Sequence, residues 1–121
     1  MRFILFFMSL LFAFSGASQV EWIGGRTFDF GDIEKGVPAS ATFTYKNISD
    51  EPIVLEVVRS TCGCTVSEWS KQPVEPGQTD SIVVVYSAHK AGYFQKKIKV
   101  FFAGKRKAKK LTILGDVFEY E

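Results

Sequence analysis

The sequence is poor in cysteine and histidine, with two cysteines and one histidine in 121 residues. Two cysteines are too few for a fold that depends on a disulfide framework, so a hydrophobic core must stabilise the protein. Structural zinc sites use four protein ligands, and only His89 could add a nitrogen donor to the cysteines, which disfavours zinc. The common nucleotide-binding and hydrolase motifs are also absent. We therefore expect no enzymatic activity from a known catalytic motif, and no cofactor other than a soft metal.

The chain also lacks an apolar run long enough to cross a membrane. Arg2 precedes the apolar segment Phe3–Phe14, which is interrupted only by Ser9. Small residues follow, with Ser15 and Ala17 at the positions favoured for signal cleavage. A membrane span needs roughly 20 apolar residues, more than this segment provides. Residues 1–17 are therefore predicted to be a cleavable signal peptide, so that the protein is exported to the periplasm or secreted.

Charge of one sign does not dominate either. The formal net charge of the whole chain is +2, and the predicted signal peptide contributes only Arg2 to it. A nearly neutral protein has no strong overall field to attract nucleic acid or a membrane surface. We expect no nucleic-acid partner.

Convincing helical periodicity is missing, whereas alternation of apolar and polar residues recurs along the chain. A turn is predicted at Gly31, within the first of these alternating segments. The predicted strands are Arg26–Ile33, Ser40–Lys46, Ile53–Arg59, Thr79–Ser87, Gly92–Phe102 and Lys110–Tyr120, with a further short strand near Thr65–Ser67. About seven short strands with regular turns predict an all-β sandwich. Its boundaries are residues 26–121, and residues 18–25 form a short N-terminal extension.

Three details of this pattern make local predictions. Ile53, Leu55 and Val57 alternate and should share the inward face of their strand. Lys96 interrupts the inward face of Gly92–Phe102 and should lie near the edge or end of a sheet. Gly115 lies inside the last strand, where a glycine indicates a bulge or a close approach of another chain segment.

The most distinctive sequence feature is Cys62-Gly63-Cys64, which contains every cysteine of the chain. In an extended chain residues two apart project to the same side, with Cα atoms about 6.6 Å apart, near the upper limit for a disulfide. Closing the bond therefore requires the chain to buckle, which Gly63 would allow. The ring is so small that the bond would stabilise the fold little.

Three interpretations of the cysteine pair remain open. The pair forms a buried or oxidised turn at the end of a strand, it acts as a thiol–disulfide redox group, or its thiolates bind a soft ion such as copper(I). A nucleophilic or metal-binding role for His89 would require the fold to bring it beside Cys62 or Cys64. Trp69 is expected to cover the core beneath the cysteine loop.

A basic cluster follows the longest predicted strand. It consists of Lys105, Arg106, Lys107, Lys109 and Lys110. One interpretation is a solvated hairpin tip whose charges protect an edge strand from pairing with another chain. The alternative is a contact for an anionic partner, such as a lipid phosphate or an acidic polymer.

These residues together resemble the bacterial DUF1573 family of exported proteins. The resemblance runs from Phe28 nearly to the C-terminus, and its most specific part is Cys62-Gly63-Cys64-Thr65 followed by Trp69 and Pro76-Gly77. The resemblance implies an immunoglobulin-like β-sandwich, similar to the domains of the major sperm protein and Hydin group, and it implies no activity. Ser67 and Ser70 stand where relatives often carry proline, a departure that concerns the rigidity of the loop.

The function expected from the sequence is an exported, non-enzymatic, immunoglobulin-like interaction module. Its partner would be an envelope or secreted protein that contacts exposed edge strands or the loop from Cys62 to Trp69. The alternative is a thiol–disulfide redox protein or a copper-binding protein that uses Cys62 and Cys64. The sequence leaves the oligomeric state open.

Overall fold

The computed structural model describes residues 19–120 of the chain. The predicted signal peptide, residues 1–17, lies outside the described residues. Between residues 19 and 120, no helix has the length and the apolar character that crossing a membrane requires.

Eight β-strands make up the described part of the chain. They are β1 (Val20–Ile23), β2 (Thr27–Glu34), β3 (Ala39–Asn47), β4 (Leu55–Ser60), β5 (Thr65–Glu68), β6 (Thr79–Tyr86), β7 (Gly92–Phe102) and β8 (Lys109–Phe118). They form two four-stranded sheets, with the orders β1-β3-β6-β5 and β2-β8-β7-β4. The β2–β8 pair is parallel and the other pairs are antiparallel. The predicted immunoglobulin-like β-sandwich is confirmed.

The core lies between the two sheets and follows the alternation of the sequence. Ala41, Phe43 and Tyr45 of β3 are all buried, as the period of two predicts. Every second residue of the central strands adds to the same layer. The aliphatic side chains with no exposed surface include Leu55, Ile82, Val84, Ile98, Val100, Leu111 and Ile113.

One strand is absent from the sequence prediction. Val20–Ile23 forms β1 and pairs with the end of β3, although the sequence suggested only a short extension at residues 18–25. Val20 is buried, and Trp22 packs on Tyr45 with ring centroids 5.6 Å apart. Two glycines, Gly24 and Gly25, directly follow this strand, and both have positive φ. Four residues are too few to show a periodic pattern, which is why the strand was missed.

A second correction concerns the inward face of β4. The pairing of β4 with β7 shifts register between Leu55 and Val57, so the strand contains a bulge. As a result Val58 is buried while Val57 is only partly buried, contrary to the predicted alternation. Ile53 lies outside the strand and forms a single bridge with Val74. A bulge inserts one residue and moves the following side chains to the other face.

Glycines at two positions shape the sheet β2-β8-β7-β4. Gly31, where the sequence predicts a turn, instead lies inside β2 at a register shift, with φ of 71°. Its backbone N–H donates to Asp29 Oδ1 at 2.8 Å. Gly115 is a site of close approach, as predicted, because a Cβ there would be 3.0 Å from the carbonyl oxygen of Gly31.

Candidate functional site

The two cysteines lie in the short connection between β4 and β5, at the point where the chain passes from one sheet to the other. The Cα atoms of Cys62 and Cys64 are 5.2 Å apart, and the two sulfur atoms are in contact. This Cα separation falls within the usual range for disulfides. Both side chains are partly buried. The predicted convergence of the two sulfurs is therefore present in the structure.

Three hydrogen bonds fix the cysteine loop. The backbone N–H of Cys62 donates to Ser60 Oγ at 3.1 Å, and the backbone N–H of Cys64 donates to Cys62 Sγ at 3.1 Å. The carbonyl oxygen of Cys64 accepts from the backbone N–H of Ser87 at 3.0 Å. The loop is thus attached to the end of β4 on one side and to the end of β6 on the other.

Gly63 does not have the role that its sequence position suggests. Its φ is not positive, and a Cβ built on it would have no neighbour within 4 Å. The backbone brings the two cysteines together in a conformation that an ordinary residue could also adopt. The glycine is therefore not required to close the loop.

Trp69 covers part of the hydrophobic core. Its side chain, like that of Cys64, is partly buried and packs against the hydrophobic core. Thr65, Trp69 and Ser87 also share a polar feature, because Thr65 Oγ1, Trp69 Nε1 and Ser87 Oγ are buried and no group within residues 19–120 hydrogen-bonds to them. Thr65 is paired with Tyr86 across the β5–β6 ladder, next to the Cys64–Ser87 contact. Buried polar atoms without protein partners thus accompany the cysteine loop.

Pro76 and Gly77 do not belong to the cysteine loop. Gly77 has a φ of 84°, and the backbone N–H of Gln78 donates to the carbonyl oxygen of Glu75 at 2.9 Å, as in a β-turn. This turn precedes β6, whereas the cysteine loop contacts the residue after β6. The eight residues of β6 separate the two by about 25 Å. The Cys62-Gly63-Cys64 and Pro76-Gly77 segments therefore lie in two different parts of the sandwich.

His89 is exposed, in the segment between β6 and β7. Between residues 19 and 120, no group of three or more histidine, cysteine, aspartate or glutamate side chains is arranged to hold a metal ion. Within this range His89 therefore forms no such group with Cys62 and Cys64.

The basic cluster occupies the connection between β7 and β8. Lys105, Arg106 and Lys107 are exposed at the hairpin tip, and Lys109 and Lys110 already belong to β8. The proposed protection of an edge strand is wrong, because β7 and β8 are the two central strands of their sheet. Protection of an edge strand therefore does not explain why positive charge is concentrated in this hairpin.

The chain matches one family model over most of its length. A family model described as a protein of unknown function, DUF1573, matches residues 22–117. No curated protein matches the chain.

Solved structures share the fold at low sequence identity. PapD-like domain 7 of human CEP192 has a TM-score of 0.71 and 11% identity, over 95% of this chain and 99% of that domain. A protein of unknown function from Porphyromonas gingivalis has a TM-score of 0.68 and 13% identity, over 80% of this chain and 46% of its own. The VesB protease of Vibrio cholerae has a TM-score of 0.66 and 18% identity, over 81% of this chain and 32% of its own. The chain thus spans less than half of the last two proteins, and the similarity concerns the fold alone.

Proposed function

This chain belongs to the DUF1573 family, and we propose that it is an exported, non-enzymatic module that binds another protein by strand addition at β5. Ser67 of β5 stands where relatives often carry proline, so the proposal concerns this chain and not the family as a whole. The signal-like sequence of residues 1–17 supports export. The partner would be an envelope or secreted protein that contributes an extended segment. In this mode main-chain hydrogen bonds supply much of the affinity, and side-chain pockets supply specificity.

The observation that carries this proposal is the position of β5 at the edge of its sheet. Within residues 19–120, β5 pairs with β6 on one side and with no strand on the other. Val66 in the middle of β5 is 63% exposed. An unpaired strand edge with an exposed β-branched side chain is a template for another extended chain.

The hydrogen-bond pattern identifies the backbone groups that face outward. The Ser87 N–H bonds to the carbonyl oxygen of Cys64, so this pair is of the hydrogen-bonded type. The two types alternate along an antiparallel ladder, and the next hydrogen-bonded pair is Val66 with Val85. The N–H and carbonyl groups of Thr65 and Ser67 therefore point away from β6, toward the free edge.

Of the other edge strands, β2 and β4 are less suited to strand addition. The pairings of β2 and β4 both shift register, and bulges of this kind disturb a strand edge and discourage pairing. The pairing of β5 with β6 is regular over all four residues. Its short length limits the unspecific association to which a longer flat edge would be prone.

Substitution of Ser67 by proline is the direct test. Proline removes the outward N–H of residue 67 without removing a bond to β6, and edge strands accept proline at such positions. Ser67→Ala is the matched control because it removes the hydroxyl and keeps the N–H. The tagged protein and both variants are incubated with an envelope fraction, and bound proteins are identified by mass spectrometry. We expect a specific partner on the wild type and on Ser67→Ala, and its loss from Ser67→Pro.

Two outcomes contradict the proposal. Either no protein is retained specifically by the wild type, or the same partner is retained equally by Ser67→Pro. Circular dichroism of Ser67→Pro must match that of the wild type, so that lost binding is not caused by unfolding.

A second candidate function is supported by the contact between the two cysteine sulfurs. We propose as the alternative that Cys62 and Cys64 form a reversible disulfide at the partly buried loop. A substrate dithiol would transfer two electrons and two protons to this bond, which leaves a substrate disulfide and two thiols on Cys62 and Cys64. The small ring gives the bond little structural value, which favours an exchangeable role.

Intact-mass measurement with and without reductant, together with thiol alkylation, separates the two functions. A reducible bond whose potential lies near those of oxidoreductases supports the redox function. Two free thiols that do not react with glutathione disulfide would eliminate it. Binding of one copper(I) per protein, lost in Cys62→Ser, would instead show that the pair is a soft-metal site.

A further inference from the structure

We infer that the outward face of the sheet β2-β8-β7-β4 binds a linear anionic polysaccharide that carries carboxylates. This face does not include β5 or the cysteine loop, so the inference is independent of the proposed function. Its basis is a row of cations that cross-strand register places side by side.

The row runs across three neighbouring strands. Arg59 of β4 is directly opposite Lys99 of β7, and Lys99 is directly opposite Lys110 of β8. The residues that flank Lys99 in β7, Ile98 and Val100, are fully buried, so Lys99 belongs to the outward face. Neighbouring strands lie about 4.8 Å apart, which sets the repeat of the row. Lys97, two residues before Lys99, adds a fourth cation to the same face.

Two contacts hold members of the group against the sheet. The Arg59 guanidinium lies over the ring of Phe101, with Cζ 5.4 Å from the ring centroid. Lys97 Nζ donates to Thr112 Oγ1 at 3.1 Å. The positive charges are therefore held along the surface of the sheet.

No carboxylate within residues 19–120 forms an ion pair with Arg59, Lys99 or Lys110, because the one salt bridge found there joins Lys35 to Glu119. Like charges directly opposite each other destabilise a sheet. The repulsion within the row therefore lowers the stability of the folded protein. A bound anionic partner would neutralise these charges.

Toward its other end, the same face carries negative charges instead of positive ones. Asp116 is on β8, six residues beyond Lys110, and Asp29 of the neighbouring strand β2 is paired with Leu114 of β8. Asp116 is thus about 20 Å from the row, well beyond the Debye length of about 8 Å at physiological ionic strength. A flat anionic membrane covering the whole face would meet these carboxylates. A linear polymer that lies along the row avoids them.

The repeat of the row does not match that of an extended acidic peptide. Such a peptide presents side chains on one face about 6.7 Å apart, which is longer than the spacing of about 4.8 Å between strands. Single-stranded nucleic acid would require exposed aromatic rings beside the row for base stacking. Phe101 is covered by Arg59, and the exposed Tyr93 of the same face lies opposite Asp116, at the acidic end.

The test uses the purified protein with polygalacturonate as the probe and neutral dextran as the uncharged control. The variant Lys99→Gln/Lys110→Gln removes two members of the row, and Lys46→Gln/Lys71→Gln removes the same charge elsewhere. We expect the row variant to bind polygalacturonate about 30-fold more weakly, and the control variant to bind within about twofold of the wild type. Binding should weaken as salt is raised.

Several results would overturn this inference. They are the absence of binding to polygalacturonate, equal binding by the row variant, or tighter binding to polyglutamate or to phosphatidylglycerol vesicles. A larger loss in the hairpin-tip variant Lys105→Gln/Lys107→Gln would place the site at the tip and reject the row. The row variant should unfold at the same or a higher denaturant concentration than the wild type, so that lost binding reflects lost charge.

Discussion

Gly115 of β8 lies directly against the ring of Phe94 on β7. A Cβ at residue 115 would be 3.0 Å from two carbons of that ring and 3.0 Å from the carbonyl oxygen of Gly31. Phe94 cannot easily withdraw, because its ring is stacked on Tyr86 with centroids 4.0 Å apart. We therefore predict that Gly115→Ala lowers the free energy of unfolding by about 1–3 kcal/mol, measured by urea denaturation.

Gly63→Ala is the matched control for this substitution. A Cβ at Gly63 meets no atom within 4 Å. Its free energy of unfolding should stay within about 0.5 kcal/mol of the wild type, as for surface substitutions in general. Equal stability of Gly115→Ala and Gly63→Ala would show that the β7–β8 hairpin and β2 can separate without cost.

Asn47 at the end of β3 should be among the most sensitive polar positions. It has no exposed surface, and its Nδ2 donates to the carbonyl oxygens of Glu51 and Val74, each at 2.8 Å. Its Oδ1 accepts from the backbone N–H of Ser49 at 2.8 Å and from Ser49 Oγ. Asn47→Ala removes all four of these hydrogen bonds, while the carbonyl oxygens of Glu51 and Val74 keep their bonds to Ser49 Oγ and to the backbone N–H of Ile53. We expect the loss of four bonds at a buried position to lower the free energy of unfolding by about 2–4 kcal/mol.

Ser49→Ala provides the comparison for Asn47. It removes only the hydrogen bonds of the partly exposed Ser49 hydroxyl, which contacts Asn47 Oδ1 and the carbonyl oxygen of Glu51 and accepts from the backbone N–H of Glu51. The expected loss is about 0.5–1.5 kcal/mol in the same urea titration. A larger loss for Ser49→Ala than for Asn47→Ala would mean that the hydroxyl, and not the amide, organises the turn.

Gly115 and Asn47 also show how far the sequence could predict this fold. A lone glycine within an apolar strand predicts a close approach, and the structure confirms it at Gly115. The burial of Asn47 could not be predicted from the sequence, because burial of an amide depends on which segments surround it. The strands could be predicted because alternation is local, whereas the burial of Asn47 depends on Val74, whose carbonyl oxygen accepts from its amide and which is 27 residues away in sequence.

The cysteine loop and the row of cations illustrate the same limit. Adjacent cysteines can be seen in the sequence to converge, but the position of their loop beside the edge strand β5 depends on the order of strands in the sheet. Alternation alone places Lys99 on the outward face of its strand. Its neighbours Arg59 and Lys110 are 40 and 11 residues away in sequence and are brought beside it only by register. In β4 the burial of side chains does not alternate simply, because the bulge buries Val58 in place of Val57.

Loss of the cysteine pair should change stability little. A bond between residues 62 and 64 closes a ring of three residues, for which the loop-entropy relation gives about 1.6 kcal/mol at most. We predict that Cys62→Ser/Cys64→Ser lowers the free energy of unfolding by no more than about 2 kcal/mol. The measurement is urea denaturation of the double variant beside the wild type with and without reductant. A loss well above this value would show that the loop stabilises the sandwich through contacts that only the oxidised pair makes.

Tyr45 makes stability depend on pH in the alkaline range. Its burial, together with the nearby negative charge of Asp80, raises the pKa of the phenol to about 12 from the ordinary value of 10.0. Below pH 10 the phenol is protonated in both states, and its contribution to stability is complete. As the pH rises from about 10 to 12, the unfolded chain loses the proton while the folded protein retains it, so the free energy of unfolding falls. Urea denaturation across this range measures the fall.

Tyr45→Phe isolates this effect. The Tyr45 hydroxyl is buried, and no group within residues 19–120 hydrogen-bonds to it, while its ring packs on Phe102 with centroids 5.5 Å apart. Phenylalanine keeps the ring contact and removes the unpaired oxygen, so stability at neutral pH should be unchanged or higher by up to about 1 kcal/mol. The alkaline fall should become shallower but not vanish, because burial also raises the pKa of Tyr86. Strong destabilisation of Tyr45→Phe at neutral pH would mean that the hydroxyl has a hydrogen-bond partner. An alkaline profile equal to that of the wild type would mean that ionisation of Tyr45 does not cause the fall in stability.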